Sequence, residues 1–145
     1  MTQEQKKAAL RKLLPKKIKI KEEEDQVIVD GCVDLSFKNL TEFIIPDNTT
    51  FNLPVYLNRN NLKKLVIPKS TIFKCSLDLG GNPLTEITIP EDIKIGNHLN
   101  LESTKLKKLI IPAGAFIGGN LELQPNHLKT LDIHPTAVIK GKIYK

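Results

Sequence analysis

Hydrophobic positions along this chain recur every 22 residues. Six apolar columns keep this register through five successive units without an insertion or a deletion. The first column contains Val33, Val55, Leu77, Leu99, Leu121 and Ile143. A constant period of this length indicates one small structural unit stacked on copies of itself, because no single copy can bury its apolar side alone. The pattern therefore predicts a solenoid.

Each unit alternates apolar and polar residues over short runs and shows no helical periodicity. A proline follows the middle run in four of the units, at Pro46, Pro68, Pro90 and Pro112. Because proline lacks the N–H group that a strand ladder uses, it should end that segment. We therefore predict a mainly β solenoid with three short extended segments in each coil and parallel strands between coils.

A different pattern precedes the repeats. Thr2 and Gln5 have the spacing of a helix capping box, and Pro15 should end the helix that they open. Two extended runs, residues 16–21 and 26–30, flank an acidic turn and predict a β-hairpin. We expect residues 1–31 to form a helix and hairpin cap over the N-terminal end of the solenoid. Residues 32–145 should form the solenoid itself, within a single domain.

The third unit carries a motif that points to a known family. Residues 77–84 have the sequence Leu-Asp-Leu-Gly-Gly-Asn-Pro-Leu, and residues 55–62 and 121–128 share its spacing. This pattern resembles the core of the leucine-rich repeat, Leu-x-Leu-x-x-Asn-x-Leu. The resemblance implies a right-handed solenoid in which the asparagine turns inward and bonds the backbone of the turn. Lys38 and Thr104 stand where two units lack that asparagine, so we expect interruptions there.

Outward positions of the first strand in each unit are the main candidates for function. Both tyrosines of the chain, Tyr56 and Tyr144, fall in this column, although a buried core is the commoner place for aromatic residues. Tyrosine is enriched at protein interfaces, and the other residues of this expected concave face are mostly acidic. We predict a non-catalytic module that binds a protein partner with the following residues: Asp34, Tyr56, Asn58, Arg59, Asp78, Asn100, Glu102, Glu122 and Tyr144.

The formal net charge of +6 brings nucleic acid into consideration as an alternative partner. The basic residues form an edge away from the tyrosines, at Lys63, Lys64, Lys107, Lys108 and Lys129. Glu42 and Glu86 alternate with lysines in one column, so charge pairing between coils is a simpler explanation for part of this edge. The face that bears the tyrosines is acidic, whereas a nucleic-acid-binding surface should be basic. A nucleic-acid-associated protein is therefore the second interpretation.

The middle segment of each unit presents another surface. Its outward positions include Ile44, Val66 and Ile110, which form an apolar stripe that a partner or neighbouring side chains should cover. The last residues, 143–145, begin a sixth coil. We predict that this open end allows two copies to form a homodimer.

The sequence favours neither catalysis nor a cofactor. His98, His127 and His134 occupy different repeat positions, and none has a second ligand at metal spacing. Stacked coils place Cys32 and Cys75 on the order of 10 Å apart, too far for a disulfide, so we predict two reduced, small buried side chains. With no signal-peptide pattern at the start and no membrane span, we expect a cytoplasmic protein, bacterial or inside a host cell. The small bacterial and phage members of the leucine-rich repeat family include effectors and inhibitors of host proteins, and the resemblance implies that this role is open to the chain.

Overall fold

The computed structural model describes residues 1–145 and shows a mainly β chain with one N-terminal helix. Parallel strands stack into a solenoid of about five coils, which confirms the predicted fold class. Each coil contributes one strand to each of two long sheets, and a middle segment connects them. No helix in the chain has the length and hydrophobicity needed to cross a membrane.

Helix α1 spans Gln3–Leu13 and begins with the predicted capping box. The Thr2 hydroxyl accepts a hydrogen bond from the Gln5 N–H, and the Gln5 side chain accepts one from the Thr2 N–H. Leu10 and Leu14 are buried and belong to the same apolar cluster as the solenoid core. The helix therefore packs against the first coil.

Strands β1 (Lys19–Glu23) and β2 (Gln26–Asp30) form the predicted antiparallel hairpin. The hairpin does more than lead into the first coil, because β2 also pairs in parallel with β4 (Thr49–Phe51). Val29 lies in register with Phe51, so the repeat of 22 residues already begins in the hairpin. The sequence contained this signal, since Val29 precedes Phe51 by one period.

The first long sheet consists of the short strands that open each unit. These are β3 (Val33–Asp34), β5 (Val55–Tyr56), β8 (Leu77–Asp78), β11 (Leu99–Asn100), β14 (Leu121–Glu122) and β17 (Ile143–Tyr144). They lie in chain order, each parallel to its neighbours, so equivalent residues of successive coils stand side by side. This sheet carries the predicted binding residues.

The second long sheet contains the hairpin and the third segment of each unit. After β4 it continues with β7 (Ile72–Phe73), β10 (Lys94–Ile95), β13 (Phe116–Ile117) and β16 (Val138–Ile139). The inward rings of Phe51 and Phe73 stack face to face, with their centroids 5.0 Å apart. One of the six apolar columns therefore forms a wall of the core, with the residues Phe51, Phe73, Ile95, Ile117 and Ile139.

The middle segments form a less continuous wall. Strands β6 (Lys64–Val66) and β9 (Glu86–Thr88) pair with each other, as do β12 (Lys108–Ile111) and β15 (Thr130–Ile133), but β9 and β12 are not paired. The side chains of Leu65 and Leu109 are 1% exposed, whereas Ile87 between them is only half-buried. The stack is thus open on this side between the third and fourth coils.

Inward asparagines close the turn after the first strand. The Asn82 amide donates to the carbonyls of Leu57 and Leu79, both at 2.9 Å, and its oxygen accepts from the Leu62 N–H at 3.1 Å. Asn60 makes the equivalent contacts one coil earlier. One buried amide therefore joins the main chains of two successive coils.

The predicted interruption of this ladder occurs at Thr104. Its shorter side chain donates to the Leu101 carbonyl of its own coil at 3.0 Å and makes no hydrogen bond to the preceding coil. In the next coil the Asn126 amide binds the Thr104 hydroxyl at 3.2 Å, and the Asn126 oxygen is buried without a partner. Lys38, the other departure from the motif, is exposed.

Candidate protein-binding face

The outward side chains of the first long sheet form one continuous column. Strand pairing places its members next to one another in the order Asp34, Tyr56, Asp78, Asn100, Glu122 and Tyr144. We call this column the acidic strand face. It combines three carboxylates with both tyrosines of a chain whose net charge is +6. Half of the six side chains in this column are therefore acidic, although the protein as a whole is basic.

Local hydrogen bonds hold the polar side chains of this face in place. Oδ1 of Asp34 accepts from the N–H and the hydroxyl of Ser36, at 3.2 and 2.6 Å. Oδ1 of Asp78 accepts from the Gly80 N–H at 2.9 Å. In both aspartates a single carboxylate oxygen makes these bonds, so the other oxygen can accept from a partner.

The two aspartates differ in their ionisation. Hydrogen bonds from the Ser36 side chain and N–H lower the pKa of Asp34. Burial raises the pKa of Asp78, and this effect is larger than the lowering by the hydrogen bond from the Gly80 N–H. The negative charge of Glu122 raises the pKa further. Asp78 therefore carries its charge in a position where water stabilises it poorly.

We expect the substitution Asp78→Asn to stabilise the fold at neutral pH. The folded chain holds the Asp78 proton more tightly than the unfolded chain does, so stability decreases as the pH rises from the unfolded to the folded pKa. Asparagine keeps an acceptor for Gly80 without the desolvated charge. Urea unfolding should show the variant ahead at about pH 7 and level with the parent at about pH 3, below the ordinary aspartate pKa of about 3.9. A difference that is equal at the two pH values would contradict this explanation.

A polar groove of about 260 Å³ opens beside Asp78. Its floor is kept open by Gly80, where an added Cβ atom would lie 3.2 Å from Asp78 Oδ1. Gly81 has a φ of +70°, a backbone conformation that a side chain would strain. The remaining lining residues are all polar: Asn58, Arg59, Asp78, Asn100, Glu102 and Ser103. The groove can bind a polar or charged side chain.

Sequence reasoning missed Phe37 on this side of the molecule. Its side chain is 70% exposed, and the Arg59 guanidinium lies 5.7 Å from the centroid of its ring. Both residues have positive φ, at 57° and 55°, because they occupy the same left-handed corner in successive coils. The sequence contained a signal for this corner. The positions one and two repeats after Arg59 are Gly81 and Ser103, rather than apolar residues.

The structure brings some of the predicted binding residues together and separates others. Asn58, Arg59, Asp78, Asn100 and Glu102 meet around the groove. Asp34 lies in the first coil and Tyr144 in the last, so each is at one end of the face. The face is therefore a stripe that runs across the coils, with the groove near its middle.

The predicted apolar stripe lies on the middle segments. Val66 and Ile110 are each 50% exposed, whereas Ile44 is half-buried and lines a cavity of about 450 Å³ with side chains of α1. In the adjoining column Lys64 and Glu86 form an ion pair at 3.3 Å. The other predicted lysines of this edge, Lys63, Lys107, Lys108 and Lys129, make no ion pair. Charge pairing between coils thus accounts for only part of the edge.

Both cysteines are free thiols, as predicted, but the prediction that both are buried was wrong, because neither of them is fully buried. Cys32 is exposed at the junction between the hairpin and the first coil, and Cys75 is half-buried with its sulfur 3.6 Å from the Asn52 carbonyl oxygen.

No group of three or more His, Cys, Asp or Glu side chains is arranged to hold a metal ion. Comparison of the chain with models of protein families, with curated proteins and with solved structures found no match.

Proposed function

We propose that this protein is a non-catalytic binding module whose acidic strand face contacts a protein partner. The observation that carries the proposal is one column that contains both tyrosines and three carboxylates, two of them held by hydrogen bonds, in a chain whose net charge is +6. Side chains that are already held in place lose little conformational entropy on binding. Tyrosine in turn supplies a large amphipathic contact area.

Features around the groove favour a binding surface over a merely solvated sheet. Asp78 is held partly desolvated and forms no ion pair, and Phe37 exposes most of its ring nearby. Both arrangements are unfavourable for the isolated chain, and both would be relieved by a partner that brings a donor and covers apolar surface.

We further propose that the repeats are of the leucine-rich type. The support is the inward amide of Asn82, which bonds the carbonyls of Leu57 and Leu79 as the family motif implies. The small bacterial and phage members of that family include effectors and inhibitors of host proteins, so the resemblance leaves such a cytoplasmic role open to this chain without selecting it.

The double variant Tyr56→Ala, Asp78→Lys should lose the partner. Lysine at the centre of the face reverses a charge, and alanine removes the aromatic contact beside it. We expect at least a tenfold drop in a discrete protein captured from a nuclease-treated lysate of the native cells, identified by mass spectrometry; tenfold corresponds to about 1.4 kcal/mol.

A matched control comes from the opposite sheet. The double variant Phe116→Ala, Glu91→Lys makes the same charge change and also removes an exposed aromatic ring. Circular dichroism should show both variants folded. If the site variant still captures the partner, or if the control loses it as completely, the acidic strand face is not the specific site. The surface of Ile44, Val66 and Ile110 then becomes the next candidate.

The second candidate function is association with nucleic acid. It is favoured by the four lysines of the edge that have no ion pair, namely Lys63, Lys107, Lys108 and Lys129. Retention on nucleic acid that weakens with salt and persists in the site variant would support it.

Dimerisation through the last coil stays a prediction. Its inward side chains Leu128, Leu131, Ile133 and Ile139 are only partly buried.

A further inference from the structure

Carboxylates occupy alternate coils of the acidic strand face. The carboxylates are Asp34, Asp78 and Glu122. One coil lies between each carboxylate and the next, and these intervening coils carry Tyr56 and Asn100. Neighbouring parallel strands lie ~4.8 Å apart, so successive carboxylates of the column are ~9.6 Å apart and the three of them span ~19 Å. The negative charges therefore form a regular ladder along the solenoid axis.

Few peptide conformations repeat one face at this distance. A polyproline II helix has three residues per turn and rises ~3.1 Å per residue, so every third side chain recurs on one face after ~9.3 Å. A β-strand repeats a face after ~6.8 Å or ~13.6 Å and does not match. Two intervals of seven residues in an α-helix cover ~21 Å, which is about 2 Å longer than the ladder.

The chemistry of the ladder selects a cationic ligand. Asp34 and Asp78 each use one carboxylate oxygen within the chain, through Ser36 and Gly80, and leave the other to accept from an arginine or lysine. Glu102 lines the groove beside Asp78 and adds a fourth carboxylate near the middle. The tyrosine between the first two carboxylates offers a flat ring, the kind of surface on which proline-rich polyproline II segments pack.

One cation borders the same groove. Arg59 lines it, and its guanidinium is held against the ring of Phe37. A basic ligand would experience repulsion from Arg59, so removing this charge should tighten binding. This expectation separates a cationic ligand from an anionic one, for which Arg59 would be an anchor.

We propose that the acidic strand face binds a basic segment of the partner protein in polyproline II conformation, with arginine or lysine at every third residue. The segment runs along the solenoid axis, across the strands, and places successive cations on Asp34, Asp78 and Glu122. This inference rests on the proposed function, since it specifies which partner chemistry the same face takes.

Two synthetic peptides of equal composition test the register directly. One contains four Arg-Pro-Pro triplets, and the other contains four consecutive arginines flanked by the same eight prolines. Isothermal titration calorimetry with the intact chain should show the triplet peptide binding about tenfold more tightly than the clustered one. Equal affinities would show attraction without register and would overturn the proposal.

Variants of the chain supply the second arm of the test. Asp78→Asn should weaken the triplet peptide about tenfold, and Arg59→Gln should strengthen it, whereas the distant Glu91→Gln should leave it unchanged. Failure of the triplet peptide to bind, or indifference to Asp78→Asn, would overturn the polyproline II proposal. The capture experiment with the Tyr56→Ala, Asp78→Lys variant would then still decide, on its own, whether the face binds a protein.

Discussion

Replacing Leu79 with alanine is expected to reduce the free energy of unfolding by about 2–5 kcal/mol. The Leu79 side chain is fully buried, and so are Leu57 and Leu101 at the same position of the coils on either side. A cavity there would weaken two interfaces between coils at once, because each repeat is stabilised mainly by its neighbours. Urea unfolding followed by circular dichroism measures the loss, which should appear as a lower midpoint.

Leu53→Ala is the matched control for this prediction. It removes the same atoms from a side chain that is 45% exposed, at a corner of the same solenoid. Substitutions at exposed positions usually change stability by no more than about 0.5 kcal/mol. Similar losses for the two variants would show that the inward columns do not form the core that stabilises the stack.

Asn82→Ala should cost about 3 kcal/mol or more. Its amide is fully buried and satisfies three main-chain groups, the carbonyls of Leu57 and Leu79 and the N–H of Leu62. Alanine would leave the Leu79 carbonyl and the Leu62 N–H without these bonds in an apolar interior, whereas the Leu57 carbonyl would keep its bond from the Asn60 amide. Each unsatisfied group costs about 1–3 kcal/mol before the structure relaxes. Thermal and urea unfolding should both report the decrease.

Asn126→Ala distinguishes this mechanism from simple truncation. The Asn126 oxygen already lacks a partner, and its amide nitrogen makes longer bonds, at 3.4 Å to the Leu101 carbonyl and 3.2 Å to Thr104. Removing it should therefore cost about 1 kcal/mol, near the usual value of one hydrogen bond. Equal losses at Asn82 and Asn126 would mean that the amide bonds of Asn82 are not what closes the turn.

The solenoid was predictable from the sequence because its information is local and repeated. The columns through Leu77 and Leu79 are read in the same register five times, so an error in one unit is corrected by the others. Strand pairing of Leu77 with Leu99, and of Leu99 with Leu121, follows this register without a shift. The outward position of Tyr56 follows from the same alternation, because neighbouring residues of a strand face opposite sides.

Other features are signalled only weakly by the periodic pattern, or not at all. The pairing of the hairpin with β4 joins segments whose sequences differ in composition, although Val29 keeps the period. The gap between β9 and β12 appears in no column, since Ile87 is as apolar there as Leu65 is in its own unit. The exposed ring of Phe37 arises from a left-handed corner, which the sequence signals only through the glycine and serine of later coils.

The sequence by itself determined the period, the inward columns and the side of the sheet on which the tyrosines lie, because apolar residues must be buried and strands alternate. The tertiary structure decided which polar groups meet. It placed Asp78, Glu102 and Arg59 around one groove. It also buried the Asp78 side chain enough to raise its pKa. Those properties depend on the distance and orientation of side chains from different coils, which stacking alone defines.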